Sequence, residues 1–491
     1  MIRKKGGILM MVFWIILLAL AAFAAVLCAR AAACKPTDAG YGQRQEVTVD
    51  GDAAAEHLAQ LVRIPTVSDY DESKVDDAQF QALRDTLARL YPKVHAACPP
   101  VLCGGEGRKT GYLFHWKGRT DGAPAVLMAH YDVVPVEEQR WAHPPFCGQV
   151  FDGELWGRGT LDTKITLLGA LEAAERLIGE GFVPQNDVYF AFAGDEEVAG
   201  HGAQDIIAYL KAQGVKPGFV VDEGGAVVEG VFPGVKDPIA VVGIGEKGMM
   251  NVELTAASEG GHASHPTRPS AVGQVCAAVA KLEAKPMKAH ITTPVREMLR
   301  TLAPHTPFGL RVVFANLWCF GGLLTTLAEK LGGELNAMMR TTFAFTMLKG
   351  SKQNNVMPNE ASAGINVRLV NTDSPDDVKA YMERAIQNPR VRVDVVHAQP
   401  ASPYAATGGE HWNKLAKAAA HTWDGCIVSP YLMIACSDSR HYAGFCEDVY
   451  KFSAMHLTAE QRGLIHNDNE RIPVTEIAKT VEFYLRLEQQ L

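Results

Sequence analysis

Three apolar runs in this chain each end in histidine or in acids, and that repetition limits the folds open to it. The first, Val126-Leu-Met-Ala-His-Tyr-Asp-Val-Val-Pro135, delivers His130 and Asp132. The second, Asp187 to Ala193, runs into Gly194-Asp-Glu-Glu197, and the third, Gly218-Phe-Val-Val221, into Asp222-Glu-Gly-Gly225. Short apolar runs bounded by turn residues read as buried strands. Helical spacing from about Ile165 to Glu180, and again up to about Gln213, separates them. Strand and helix in alternation imply parallel pairing, and parallel sheets carry their ligands at the carboxyl ends of the strands. All the acids therefore meet at one sheet edge.

Each of these signals is ordinary alone. His-x-Asp is a common surface pair, although i and i+2 share a face of an extended chain. That spacing suits a metal-ligating His130 oriented by a neighbouring Asp132. In Leu155-Trp-Gly-Arg-Gly-Thr-Leu-Asp-Thr-Lys164, Gly157 and Gly159 permit a tight turn that sets Asp162 at the head of the next helix, where an aspartate is also a usual cap. It is their convergence that asks for a common cause.

The candidates are two histidines, His130 and His466, and four acids, Asp162, Glu196, Glu197 and Asp222. Mixed imidazole and carboxylate donors suit zinc, with cobalt or manganese as substitutes. With one carboxylate bridging, five protein ligands can serve two ions that hold a hydroxide between them. A sixth carboxylate left unligated can move the proton from water to a leaving nitrogen. In a Glu-Glu pair the side chains diverge, so one can bind metal while the other is that base. Amide or peptide hydrolysis is the reaction class.

With 491 residues, 47% of them hydrophobic and 21% charged, the chain is long enough for two ordinary domains. A formal charge of -8 disfavours nucleic acid as a partner. The N-terminus departs from ordinary solubility. Met1-Ile-Arg-Lys-Lys5 is basic, and Ile8 to Ala29 is uncharged and nearly all apolar, about the length of a membrane-spanning helix. The expected anchor (residues 1–34) leaves its basic end in the cytoplasm. A cleaved signal peptide ending near Ala31-Ala32-Ala33, which would make the protein secreted, or a lipid on Cys34 are the other readings. All three put residues 40–491 outside the cytoplasm or in a lumen. Ten cysteines fit that placement. Cys98 with Cys103, or Cys436 with Cys446, can close small loops, and free buried thiols are equally compatible.

The expected organisation is an α/β chain. A linker (35–50) precedes a mostly parallel-sheet catalytic domain with helices on both faces, in two parts (51–245 and 401–491). A smaller α+β lid (246–400) interrupts it, with a helical insertion at 285–350. Strands are expected at Met249–Ala256, Ala361–Leu369 and Val391–Val396, and helices at Ser270–Ala284 and about Pro375–Gln387.

The motifs His130-Tyr-Asp132, Gly157-Arg-Gly-Thr-Leu-Asp162, Asp195-Glu-Glu197, Gly245-Glu-Lys-Gly248 and Gly261-His-Ala-Ser264 resemble those of the di-zinc family of aminoacylases, glutamate carboxypeptidase and carboxypeptidase S. Asn316-Leu-Trp318, Ser437-Asp-Ser-Arg-His-Tyr442 and Glu470-Arg-Ile472 are most similar to the carboxypeptidase S and secreted N-acyl-amino-acid hydrolase branch. The resemblance implies one zinc on His130 and Asp222, another on Glu197 and His466, and Asp162 bridging. It implies Glu196 as general base and Asp132 supporting His130. From the lid, His262 would stabilise the oxyanion, with His265 a competitor, and Arg368 would grip a substrate carboxylate, a task for its planar fork. The implied substrates are small peptides cleaved next to a free C-terminal carboxylate or, alternatively, N-acyl amino acids; a homodimer is implied as well. An inactive binding protein of the same fold would lack Glu196 or a ligand. Asn467 stands where the family usually has glycine after the histidine, and Ala435-Cys436 where glycines and a threonine are usual.

Overall fold

A computed structural model describes residues 2–36, 40–105, 110–232 and 234–491. The side chains of Arg3, Lys4 and Lys5, read above as the cytoplasmic signal, lie outside the described ones, as does the part of the linker at 37–39.

The frame is a ten-stranded, mostly parallel sheet. At its centre Ala125–His130 pairs in parallel with Val188–Ala193 on one side and Phe219–Asp222 on the other. Ile427–Met433 adds in parallel to Ile239–Glu246. The Ala125–His130 strand is apolar throughout because both its faces are covered. Leu127 and Ala129 join the core with helices Gly51–Val62, Lys164–Gly179 and Val474–Glu488. Val126 and Met128 alternate to the other face, against Ala203, Ile206 and Leu210 of helix Gly202–Ala212.

A second, four-stranded antiparallel sheet has the order Thr342–Lys349, Glu360–Leu369, Gly248–Ala257, Val391–Gln399. Its apolar face packs on helices Ala271–Glu283 and Pro375–Ile386. Two chain crossings join the sheets, and they are tied to each other: Glu246 N donates to Ser402 Oγ at 2.8 Å and Ser402 N to the Glu246 carbonyl at 3.2 Å.

The expected helical insertion at 285–350 needs correcting. Helices occupy Thr293–Leu302, Phe308–Ala315, Leu317–Leu331 and Gly333–Met339, but Thr342–Lys349 is the edge strand of the second sheet. Buried Lys247 fastens that change of structure, donating to the carbonyls of Ala337 and Arg340 (both 2.8 Å) and to Thr342 Oγ1 (3.2 Å). Burial pushes its pKa down to about 7. None of the ten cysteines is in a disulfide. The N-terminal helix is long and apolar enough over Met10–Ala33 to cross a membrane, by length and composition.

Candidate metal centre

Parallel pairing brings three strand ends to one edge, and Asp132 clamps two of them together. Its buried carboxylate accepts from Ser68 Oγ at 2.7 Å and from the backbone N–H groups of Glu196 and Glu197, both at 3.1 Å. The Glu196–Glu197 turn is thus held against the His130 strand. His130 Nδ1 lies 3.0 Å from the Asp132 carbonyl oxygen and 3.4 Å from its carboxylate, so the backbone group is the nearer orienting partner. With Nδ1–H given to that carbonyl, Nε2 keeps its lone pair for the site. Nε2 lies 3.0 Å from Asp162 Oδ1 and 3.4 Å from Glu223 Oε1.

Asp162 is presented by a turn that needs its glycines and a distant acid. Gly157 has φ +153°, and a Cβ there would sit 2.2 Å from Val62 Cγ1. Glu470, fully buried, accepts from the backbone N–H groups of Gly159, Leu161 and Asp162 at 3.1, 2.7 and 3.2 Å and pairs with Arg158 at 2.7 Å. Replacing Glu470 with alanine strands the Arg158 charge and three amides. The expected loss is about 3–5 kcal/mol of stability, read by denaturant unfolding. Glu470→Gln, which keeps the acceptor oxygen, should lose less.

His466 completes the group from the far end of the chain, with Nε2 2.9 Å from Asp162 Oδ2 and 3.0 Å from Glu197 Oε2. It is held at φ +60°, in the left-handed region. Two triads result, His130–Asp162–Glu223 and Asp162–Glu197–His466, each with donor atoms within 4.8 Å of one another. Asp162 belongs to both. Burial works to raise its carboxyl, yet hydrogen bonds from His130 and His466 hold it well below the usual carboxylate range.

Asp222 does not occupy the place expected of it. Its carboxylate accepts from Ser439 N at 2.8 Å and Glu223 N at 2.9 Å, tying the 437–442 loop to the sheet. The carboxylate beside His130 is that of Glu223. Burial, and then the charge on Asp162, push Glu223 up to about 8.

Glu196 stands beside the triads without entering either. Burial and then the neighbouring Asp438 carboxylate hold its pKa well above normal. Arg440 Nη1 lies 4.0 Å from Glu196, and its Nη2 lies 3.9 Å from Asp438. Burial and then Asp222 push Asp438 up to about 8, and its Oδ2 has no hydrogen-bond partner among the described residues. The sequence alone assigns Asp438 and Arg440 no role. The signal was there, because Ile427–Met433 is a further apolar strand running into acid.

From the second sheet, Arg368 reaches this same loop: its Nη1 lies 3.1 Å from Cys436 Sγ. His262 is not brought to the acids. It sits exposed on the short strand Gly261–His262, with Nδ1 2.7 Å from Ser264 Oγ, and Ser264 Oγ is in turn 2.9 Å from His265 Nδ1.

Many carboxylates thus converge on few cationic groups, and among the described residues buried Glu197 Oε1 has no hydrogen-bond partner. Bound cations would answer both facts, and the donor set fits a pair of them. A cavity of about 330 Å³ adjoins the site, lined by Gly224 next to Glu223 and Ile465 next to His466, and beyond them by Phe232, Met433, Ile434 and Leu457.

The parallel sheet edge and the triads sharing Asp162 fit a metal-dependent hydrolase. Residues 126–490 match the sequence profile described as peptidase family M20/M25/M40. The chain belongs to this family of metallopeptidases. It is 35% identical over 442 residues to the N-fatty-acyl-amino acid synthase/hydrolase PM20D1 of Xenopus tropicalis, covering 88% of this chain and 85% of that one. It is 34% identical to the probable carboxypeptidase S-like 2 of Dictyostelium discoideum, with 88% and 84% covered. In fold it is similar to the M20 family metallo-carboxypeptidase Sso-CP2 from Sulfolobus solfataricus, with a TM-score of 0.65 at 16% identity, covering 89% of this chain and 98% of that one.

Proposed function

We propose that the chain is a di-zinc amidohydrolase that cleaves the amide bond next to a free C-terminal carboxylate in small peptides. The observation that carries this is the pair of triads sharing Asp162, with Glu196, the residue next to Glu197, left outside them. In this reading His130, Asp162 and Glu223 hold one ion, and Asp162, Glu197 and His466 the other. Bound there, the ions would supply the Lewis acidity that activates water and polarises a carbonyl. Glu196 takes a proton from the attacking water, the water oxygen bonds to the carbonyl carbon, and as the C–N bond breaks the proton passes to the leaving nitrogen. Asp132 keeps His130 and the Glu196–Glu197 turn in register.

Residues 246–400 act as a lid hinged at the Glu246–Ser402 tie. Its closure, or a partner subunit in a homodimer, would bring His262 to the carbonyl, because on its own exposed strand the His262 ring bonds Ser264 and not the acids. Arg368, already at the rim of the site, takes the substrate carboxylate. The N-terminal helix serves as the anchor, with the catalytic region on the extracytoplasmic side.

A second reading, hydrolysis of N-acyl amino acids, is favoured by the apolar cavity beside Glu223 and His466, which suits an acyl chain, and by the name of the Xenopus relative. A panel of dipeptides and of short- and long-chain N-acyl amino acids, each with its carboxyl-amide, tests both. Arg368→Ala should raise KM for the free acids by about 10–100-fold, the loss of a charge-assisted pair, and barely alter the amides. Equal effects on acids and amides would remove Arg368 from the carboxylate. Turnover of no member of the panel by the zinc-loaded chain would remove the proposed activity.

A further inference from the structure

We propose that the two-helix hairpin Phe308–Ala315 and Leu317–Leu331 is seated in the lipid bilayer beside the N-terminal helix and holds the catalytic region against the membrane. The inference rests on reading Met10–Ala33 as a membrane span.

The hairpin is unsuited to water. From Phe308 to Ala328 its one charged residue is Arg311, and that guanidinium is turned back on the carbonyls of Pro304 and Thr306 at 2.8 and 3.0 Å. The first helix has no buried residue, and the second buries only Gly321 and Ala328. Trp318 is 63% exposed, and Leu323, Leu327 and Leu331, four residues apart on one stripe, are 54%, 46% and 84% exposed. Contiguous exposed apolar surface of this kind marks an interaction site.

What covers it is indicated by its neighbour. Asn316, at the 108° bend between the two helices, donates from Nδ2 to the Leu27 carbonyl at 3.1 Å and to Val312 at 2.8 Å. Phe23 meets the Trp318 ring edge-on at 5.9 Å. Leu27 and Ala31 are the two buried apolar residues of the N-terminal helix among those described. The Asn316-Leu-Trp318 motif, unused by the chemistry, is therefore the joint between hairpin and span.

The depth of that joint decides the occupant. Met10–Ala33 is 24 residues, about 36 Å of helix, against a hydrocarbon layer of about 30 Å. Phe23 stands about ten residues, or ~15 Å, before its end. A ring packed on Phe23 thus lies inside the hydrocarbon, where the backbone must be helical, as it is here. Nearer the surface, Arg30, Arg296 and Arg300 share with Phe314, Leu317 and Trp318 a cavity of about 300 Å³, a cationic rim suited to anionic headgroups. At the other end of the hairpin, Leu331 is followed by Gly332, Gly333 and Glu334, and Glu334 lines the cavity that Gly224 and Ile465 also line.

The test uses the full chain in phosphatidylcholine vesicles, with a genetically encoded fluorescent amino acid at position 327 and, separately, at position 17 of the span. Acyl-chain-brominated lipid should quench most of the emission at both positions, and aqueous iodide neither. Quenching at 17 but not at 327 overturns the hairpin inference and leaves the span standing. Iodide access at 327 would mean an exposed surface, and shielding from both quenchers a covering protein, such as a second copy. Absence of lipid quenching at 17 as well overturns the span and the inference with it. A fluorophore at position 323 repeats the measurement should the first variant fold poorly.

Discussion

Glu196→Gln is expected to lower turnover by about 10²–10⁴-fold, the range of a lost general base, while metal content stays near that of the unaltered chain. The expectation follows from where the residue stands. Its backbone N–H is fixed by Asp132, but its side chain belongs to neither triad. Glutamine fits the same space and keeps the hydrogen-bonding capacity, so the fold and the donor set survive while the proton acceptor is gone. Glu197→Gln should behave differently, because Glu197 Oε2 lies 3.0 Å from His466 Nε2 inside the second triad. That variant should lose metal together with activity. Elemental analysis beside a rate measurement separates the two, and equal metal loss in both would mean that the roles within the pair are reversed.

The second large effect concerns Glu223 and Asp222. Glu223→Ala should remove metal from the His130 triad and with it nearly all activity. Asp222→Asn should keep the metal and lose activity by about 10–100-fold, as expected of a group that orients the site from outside it. Its carboxylate holds Ser439 N, and through it the loop carrying Asp438 and Arg440 beside Glu196. Asp222→Asn keeps one acceptor for that amide, so residual activity is part of the expectation. Metal loss in the Asp222 variant with retention in the Glu223 variant would restore the assignment made from sequence.

That Glu223 rather than Asp222 lies beside His130 shows what the residues alone left open. The apolar run Gly218–Val221 signals a strand ending in acid, but which acid reaches the site depends on register with the neighbouring strand. The ladder pairs Leu127 with Val221, and at the same offset His130 falls level with Gly224. Asp222 stops short of the histidine, and Glu223 comes one residue closer. Side-chain spacing within one strand, as in His130 and Asp132, is legible without register, and so is the alternation of strand and helix that made the sheet parallel. Glu470 was visible only as part of a motif, because its partners at Gly159–Asp162 lie over 300 residues away in the chain. Thr342–Lys349 was hidden for a different reason. Its Phe343 and Phe345 do alternate, but as an exposed edge strand it shows a weak pattern after a run of apolar helices.

Metal stoichiometry tests the central claim most directly, because the two triads meet at a single carboxylate. After reconstitution with zinc, elemental analysis should find about two ions per chain, and Asp162→Ala should weaken both sites at once. A native chain that takes up no metal, or an Asp162→Ala variant that keeps both ions, would contradict a two-metal centre built around Asp162.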